Sequence, residues 1–118
     1  MGEYRLSYEP DSGILHCSAA GELAGDEGRA FINAMHAAIV DARHRNPVLR
    51  LLLDNRGSVV FPGSTRDALT GELRPLLQPG DRTAILVLDS LAKARVRERS
   101  GRHEAFISES AARTWLGA

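Results

Sequence analysis

Two short apolar runs set the narrowest limit on how this chain folds. Val48 to Leu53 is apolar apart from Arg50, and Thr83 to Leu88 carries no charge at all. Each is too short for a core helix, and neither alternates polar with apolar. Such runs mark strands covered on both faces, the habit of parallel sheets. Parallel neighbours need a long crossover between them, and helices are the usual solution.

The segments around the runs carry helical spacing. Phe31, Met35, Ala38, Ile39 and Ala42 recur on one face, with Asp26 and Glu27 near the start and Arg43, His44 and Arg45 near the end. Both charge placements suit the helix dipole, and Asn46-Pro47 stops the helix. A second helix opens at Ser64, with Ala68, Leu69, Leu73 and Leu76 as its inner stripe. Pro75 must kink or end it, and Pro79-Gly80-Asp81 closes the segment. Asp89-Ser90 ends the second apolar run, and Ser90 is placed to cap a third helix that stops at Ser100-Gly101. Ala105-Phe106-Ile107 reads as a last short strand. Ser108 then caps a terminal helix whose Ala111, Ala112, Trp115 and Leu116 face inward.

Ahead of these units stands a hairpin. Tyr4, Leu6 and Tyr8 alternate with Arg5, Ser7 and Glu9, Pro10-Asp11-Ser12-Gly13 turns, and Ile14 to Ala20 returns before Gly21 breaks the strand. The order ββαβαβαβα predicts an α/β fold: an N-terminal β-hairpin followed by βαβαβα units, in a mixed, mostly parallel sheet flanked by helices with right-handed crossovers. A length of 118 residues with 43% hydrophobic side chains fits one domain over 1–118 with a real core.

Composition excludes several roles. Fifteen basic side chains balance fifteen acidic ones, so no net field draws the chain to nucleic acid or a membrane surface. Cys17 is the only cysteine, which forbids an intrachain disulfide and a cysteine-rich zinc site and fits a reducing, cytoplasmic setting. Its alternating context makes it a small core residue. The polar N-terminus carries no secretory signal pattern, and the longest uncharged run, Ala30 to Val40, is too short to span a bilayer. No phosphate-binding loop, dinucleotide fingerprint or nucleophile elbow is present. His16, His36, His44 and His103 form no ligand pair; His36 reads as packed or surface, and His16 as facing solvent or the sheet edge. No cofactor and no catalytic residue is expected.

In open α/β sheets ligands bind beyond the carboxyl ends of the parallel strands. Those ends are Asp54-Asn55-Arg56-Gly57 and Asp89-Ser90. The loop predicted from Asn55 to Gly63 leads to Ser64, where free N–H groups at a helix start favour an anion. Ser64-Thr65-Arg66-Asp67 resembles a capping box with Asp for Glu, so the local reading of Ser64 is a cap; the functional reading is a phosphoacceptor flanked by Arg56 and Arg66. Phe61 either packs under the loop or stands exposed as a contact residue. Trp115 reads as a core anchor. Lys93, Arg95, Arg97, Arg99 and Arg102 wrap around the third helix and read first as a solvated surface. No aromatic residue interleaves with them to stack on bases.

The hairpin Tyr4–Gly21, the strand Leu51-Leu52-Leu53-Asp54, the Phe61-to-Ser64 loop and the closing pattern from Ala84 to Lys93, Ala105 to Ile107 and Ala111 to Leu116 together resemble the STAS domain. The match is to anti-sigma-factor antagonists and, more nearly, to single-domain SpoIIAA-like (STAS/SEC14-type) bacterial proteins. The resemblance implies a small α/β domain without enzymatic activity. In the antagonist branch a serine at the start of the second helix is phosphorylated by a partner kinase, and the unphosphorylated form binds that partner; Ser64 takes this position. The family reads Asp-Ser-Ser-Gly there, and this chain reads Pro62-Gly63-Ser64-Thr65. Two functions follow as expectations. The first is a regulatory protein-interaction module, phosphoserine-switched, whose partner is a kinase or anti-sigma-like regulator. The alternative is a carrier or sensor for a small anionic or lipid ligand, with a cavity between the second helix, third helix and sheet and with Arg56 or the Arg95–Arg99 run as anion anchor. An enzyme ranks last and would need a buried, perturbed histidine or a carboxylate pair at the strand ends.

Overall fold

A computed structural model describes residues 1–99 and 103–117, with backbone only at 97–99. The chain runs β1 (Glu3–Glu9), β2 (Ile14–Glu22), α1 (Gly25–Arg45), β3 (Arg50–Val60), α2 (Gly63–Ala68), β4 (Arg82–Leu86), α3 (Ser90–Arg99), β5 (His103–Phe106) and α4 (Glu109–Leu116). The five strands form one sheet in sequential order. Only β1 and β2 are antiparallel; β2, β3, β4 and β5 run parallel. The predicted element order and sheet type are therefore the observed ones.

The pleat divides the core in two. Leu15, Cys17 and Ala19 of β2 and Leu51 of β3 join Phe31, Ile32, Met35, Ile39 and Ala42 of α1 in one buried cluster. Residues one step along the same strands, Ile14 and Leu52, join Ala84 and Leu86 of β4 and Ala112 and Leu116 of α4 in a second. A period of two makes this division unavoidable once both faces are covered. Ala111, expected inward, is exposed, because the buried stripe of α4 passes through Ala112 and Leu116.

Pro75 shapes the segment after α2. Proline has no amide hydrogen, and its ring clashes with the carbonyl four residues back. The winding loosens to a π-helical turn over Leu69–Leu73 and then tightens to a 3-10 turn over Arg74–Leu76. Leu73 is buried, and Ala68, Leu69 and Leu76 pack half-buried against the α1 cluster.

Several boundaries differ from the sequence reading: β2 is not broken by Gly21 but runs to Glu22, and β5 spans His103–Phe106 rather than 105–107. β3 does not end at Asp54 but continues through the expected loop to Val60, because it keeps pairing with β2 through two register irregularities. That pairing brings Gly57 so close to Ala20 that a Cβ at position 57 would lie 2.6 Å from the Ala20 Cβ, and it holds Ser58 at φ 57°. β4 stops at Leu86, two residues early. Helix α3 is capped not by Ser90 but by Asp89, whose carboxylate accepts from the Ala92 amide at 2.9 Å. Ser108 caps α4 as expected, accepting from the Ala111 amide at 3.2 Å. The Ser100-Gly101 stop lies outside the described residues.

At the end of the sheet where the parallel strands begin, Asp81 ties three segments together. Its carboxylate accepts from the Leu49 amide at 2.9 Å, the Gln78 amide at 2.8 Å and both terminal nitrogens of Arg43, at 3.1 and 2.7 Å. Arg43 also donates to the Leu76 carbonyl. Burial would raise the Asp81 pKa, but Arg43 and the two amides more than offset it and hold it below the usual carboxylate range.

Candidate functional site

Asp54 sits on β3 opposite Ser18 of β2 and Leu86 of β4, on the α4 side of the sheet. It is not free. Arg56 Nε and Nη2 donate to its two oxygens at 2.9 and 2.8 Å, and Nη2 also reaches Glu109 Oε1 at 3.3 Å. Arg113 donates to Glu109 Oε2 at 2.9 Å and to both oxygens of Glu9, at 2.7 and 2.9 Å. The result is a chain of charge running Asp54–Arg56–Glu109–Arg113–Glu9. Arg56 holds the Asp54 carboxyl below its usual range, and Arg113, its hydrogen bond first among the causes, brings Glu9 down to about 2. Arg56, the expected anion anchor, is thus already committed to two carboxylates. The Glu109–Arg113 link is an i,i+4 pair and readable in sequence. Glu9, more than a hundred positions away, gave no signal. His16 faces this network rather than the open edge: its Nδ1 lies 3.9 Å from Glu9, and its Nε2 is buried without a hydrogen-bond partner among the described residues.

Ser64 occupies the second position of α2. Pro62 stands at the N-cap position and supplies no side-chain cap, so the capping-box expectation for Ser64 fails. The residue is exposed, and its hydroxyl has no partner among the described residues. The neighbouring Thr65 is instead buried against α1, where a Cβ on Gly28 would lie 2.1 Å from its Oγ1. Val60, the last residue of β3, and Leu88, Leu91 and Ile107, which follow β4 and β5, are exposed at 52%, 59%, 63% and 45%. Asp89 is exposed and spent on its cap, and Ser90 beside it is exposed. Gly57 serves the close β2–β3 approach. Of the basic run, the side chains of Arg97 and Arg99, and all of Arg102, lie outside the described residues. Lys93 is half-buried and Arg95 exposed. His36 is exposed.

A cavity of about 290 Å³ opens on the α1 face of the sheet. Phe31, Met35 and Ile39 of α1, Leu69 and Leu73 of the π turn, and Ile85 of β4 form its apolar wall. Phe61 settles here as well, stacked on Phe31 with ring centroids 5.5 Å apart. Of the residues singled out at the strand ends, Asn55 and Phe61 reach this cavity, and Asp54, Arg56 and Gly57 do not. Its remaining polar lining includes Arg74, Thr70 and His103, none of which sequence patterning marked. Cys17 lies on the inner wall as a core residue, its thiol pushed up to about 12 by burial and then by Asp54. His103 is pushed down by burial first and by Arg74 second. It stands at the start of β5, not at the carboxyl strand ends where a catalytic histidine was sought.

No helix among the described residues is long and apolar enough to cross a membrane, and no group of three potential metal ligands occurs among them. No family model and no curated protein matches the chain. Solved structures do. An anti-sigma factor antagonist from Mycobacterium paratuberculosis superposes with a TM-score of 0.69 at 13% identity, over 100% of this chain and 96% of its own. An uncharacterised protein from Shewanella loihica with a SpoIIAA-like fold gives 0.66 at 20% identity, over 98% and 93%. The anti-sigma factor antagonist SpoIIAA in its unphosphorylated form gives 0.63 at 18% identity, over 98% and 100%. The superpositions extend over almost the full length of all three, and this chain has a SpoIIAA-like fold.

Proposed function

We propose that the chain is a regulatory protein-interaction module of STAS type that acts by docking and not by catalysis. The observation that carries this reading is Ser64, exposed in the first turn of α2 with a hydroxyl that has no partner among the described residues, following the carboxyl end of β3, while Val60, Leu88, Leu91 and Ile107 at or after the carboxyl ends of β3, β4 and β5 are exposed. Apolar side chains exposed at the carboxyl strand ends suit a protein partner. The fold shared with two anti-sigma factor antagonists supports a partner of the kinase or anti-sigma-regulator kind. Phosphate on Ser64 would add close to two negative charges at the start of α2, where the free amides of the first helical turn favour them. The unmodified form then binds, the modified form releases, and a cytoplasmic location goes with the reading.

The test is co-purification of the tagged chain from its own cells, as wild type, Ser64→Ala and Ser64→Asp. One partner should be recovered with wild type and Ser64→Ala. Recovery should fall roughly ten-fold with Ser64→Asp, a loss of about 1.4 kcal/mol in binding. All three should melt alike, since Ser64 caps nothing. Equal recovery with all three variants rejects the serine switch, and absence of any stoichiometric partner rejects the module.

A further inference from the structure

We propose that the cavity on the α1 face is a binding site for a small amphipathic monoanion, a carboxylate on a short hydrocarbon chain, with its charged end at Arg74 and His103 and its chain on the apolar wall. Three observations, independent of Ser64, lead there. The cavity, at about 290 Å³, sits at the lower end of the size range of ligand pockets. Its lining is mostly apolar, with a few polar groups, the arrangement that gives a ligand both affinity and orientation.

The second observation is an orphan. His103 Nδ1 is buried without a hydrogen-bond partner among the described residues. Buried polar atoms are almost always paired, so an exception on a cavity wall marks a place where a polar group is missing. The third is Arg74. Arg74 lines the same cavity, and its guanidinium has no ion-pair or hydrogen-bond partner among the described residues, whereas Arg29, Arg43, Arg56 and Arg113 each hold a carboxylate. Arginine matches a carboxylate with two parallel donors. Burial first and Arg74 second lower the pKa of His103, so the two groups feel each other and the neutral imidazole is favoured. A neutral imidazole beside a fixed cation offers one donor to a carboxylate without adding a second charge. The π turn that widens this segment supplies Leu69, Thr70 and Leu73 to the wall, and such turns recur at functional sites.

The ligand is small because the cavity is small, apolar over most of its length because the wall is, and anionic because the lining charge left without a partner among the described residues is positive. Octanoate is the probe, with octylamine and octanol as its charge-reversed and neutral counterparts, titrated into the isotope-labelled full chain and followed by NMR. Octanoate should bind saturably and shift the His103 ring and the Ile85 methyl resonances. Octanol should bind at least ten-fold more weakly, and octylamine not at all. Arg74→Glu, an exposed position that leaves the fold unchanged, should weaken octanoate at least ten-fold. Arg56→Ala should leave octanoate affinity unchanged. Ile85→Phe should fill the cavity and abolish binding, and Leu69→Phe repeats that test should Ile85→Phe not fold. The proposal is overturned by no saturable binding of octanoate, by equal binding of octylamine, or by octanoate affinity indifferent to Arg74→Glu.

Discussion

The two faces of the sheet use the same strands and reach different ends. On the α4 face Ile14, Leu52, Ala84, Leu86, Ala112 and Leu116 are each at most 1% exposed, and a chain of five charged side chains binds the rim. On the α1 face the apolar cluster is larger, yet a cavity stays open within it, and among the described residues an arginine at that cavity has no counter-charge and a histidine nitrogen has no partner. The α4 face has an orphan too, His16 Nε2, but His16 lines neither the α1-face cavity nor the pocket beside Asp54 and Arg56. Each face carries a pocket of about 290 Å³, but the one on the α4 side is lined by the paired Asp54 and Arg56, whereas the one on the α1 side is lined by Arg74 and His103, which have no such partner among the described residues. The contrast teaches that the longer helix, with more buried residues, need not cover the better-filled face. Pro75 unsettles the α1 side by loosening the very segment that should seal it.

The largest effect should come where the α1 side is tightest. Asp81→Ala leaves Arg43 and two amides without their acceptor, and should cost about 3–5 kcal/mol in urea denaturation, as breaking a buried pair does. A cost below about 1 kcal/mol would mean that the closed parts of this side do not depend on the Asp81 knot.

Adjacent residues of β3 compare the faces directly. Leu52→Ala, on the α4 face, should cost about 3–4 kcal/mol, because the closed core cannot collapse around the hole. Leu53→Ala, one residue on and lining the cavity, should cost about 1–2 kcal/mol, because its site already has empty space beside it. Equal costs would abolish the distinction.

The faces should also fail at opposite ends of the pH scale. Glu9 has a folded pKa of about 2 against an ordinary 4.5, so its contribution is complete above pH 4.5 and is lost as pH falls toward 2. Allowing for solvent screening at this half-exposed pair, that is roughly 1–2 kcal/mol. Glu9→Gln should flatten the acid limb of the stability curve. Cys17 has a folded pKa of about 12 against 9.0, so its contribution is present below pH 9 and is lost as pH rises toward 12. Cys17→Ala should flatten the alkaline limb and leave the acid limb alone. If either substitution alters the other's limb, the two faces are coupled and the comparison must be redrawn.

The smallest effect concerns the β3 extension that the faces share. Ser58 at φ 57° occupies a conformation that glycine takes without steric cost. Ser58→Gly should stabilise the protein by about 0.5 kcal/mol, measurable as a rise in the urea midpoint with an unchanged slope.

Much of the fold was legible because its signals are local. The Phe31–Met35–Ile39–Ala42 spacing, the Gly13 turn at φ 71° and the Ser108 cap each depend on residues within a few positions, and each appears where expected. The misses have a common cause. β3 runs on to Val60 because β2 is there to pair with it, and no residue between Asn55 and Val60 announces a partner. Asp89 displaced Ser90 as the cap because both can cap and only the backbone path chooses. Arg56 looked free because Glu109 lies more than fifty positions away and because Asp54, two positions away, shares its side of the strand only once β3 runs through the expected loop.

The sequence by itself therefore determined the element order, the parallel sheet and most of the residues in both cores, since periodicity and turn chemistry act over a few residues. It also put Ser64 in the first turn of a helix. Tertiary structure alone decided which charges are spent and which remain, that Asp54, Arg56, Glu109, Arg113 and Glu9 bind one another, and that Arg74 and His103 meet over an unfilled cavity. Those outcomes depend on distances between elements far apart in the chain, and such distances exist only after the sheet has formed and both faces have closed as far as their side chains permit.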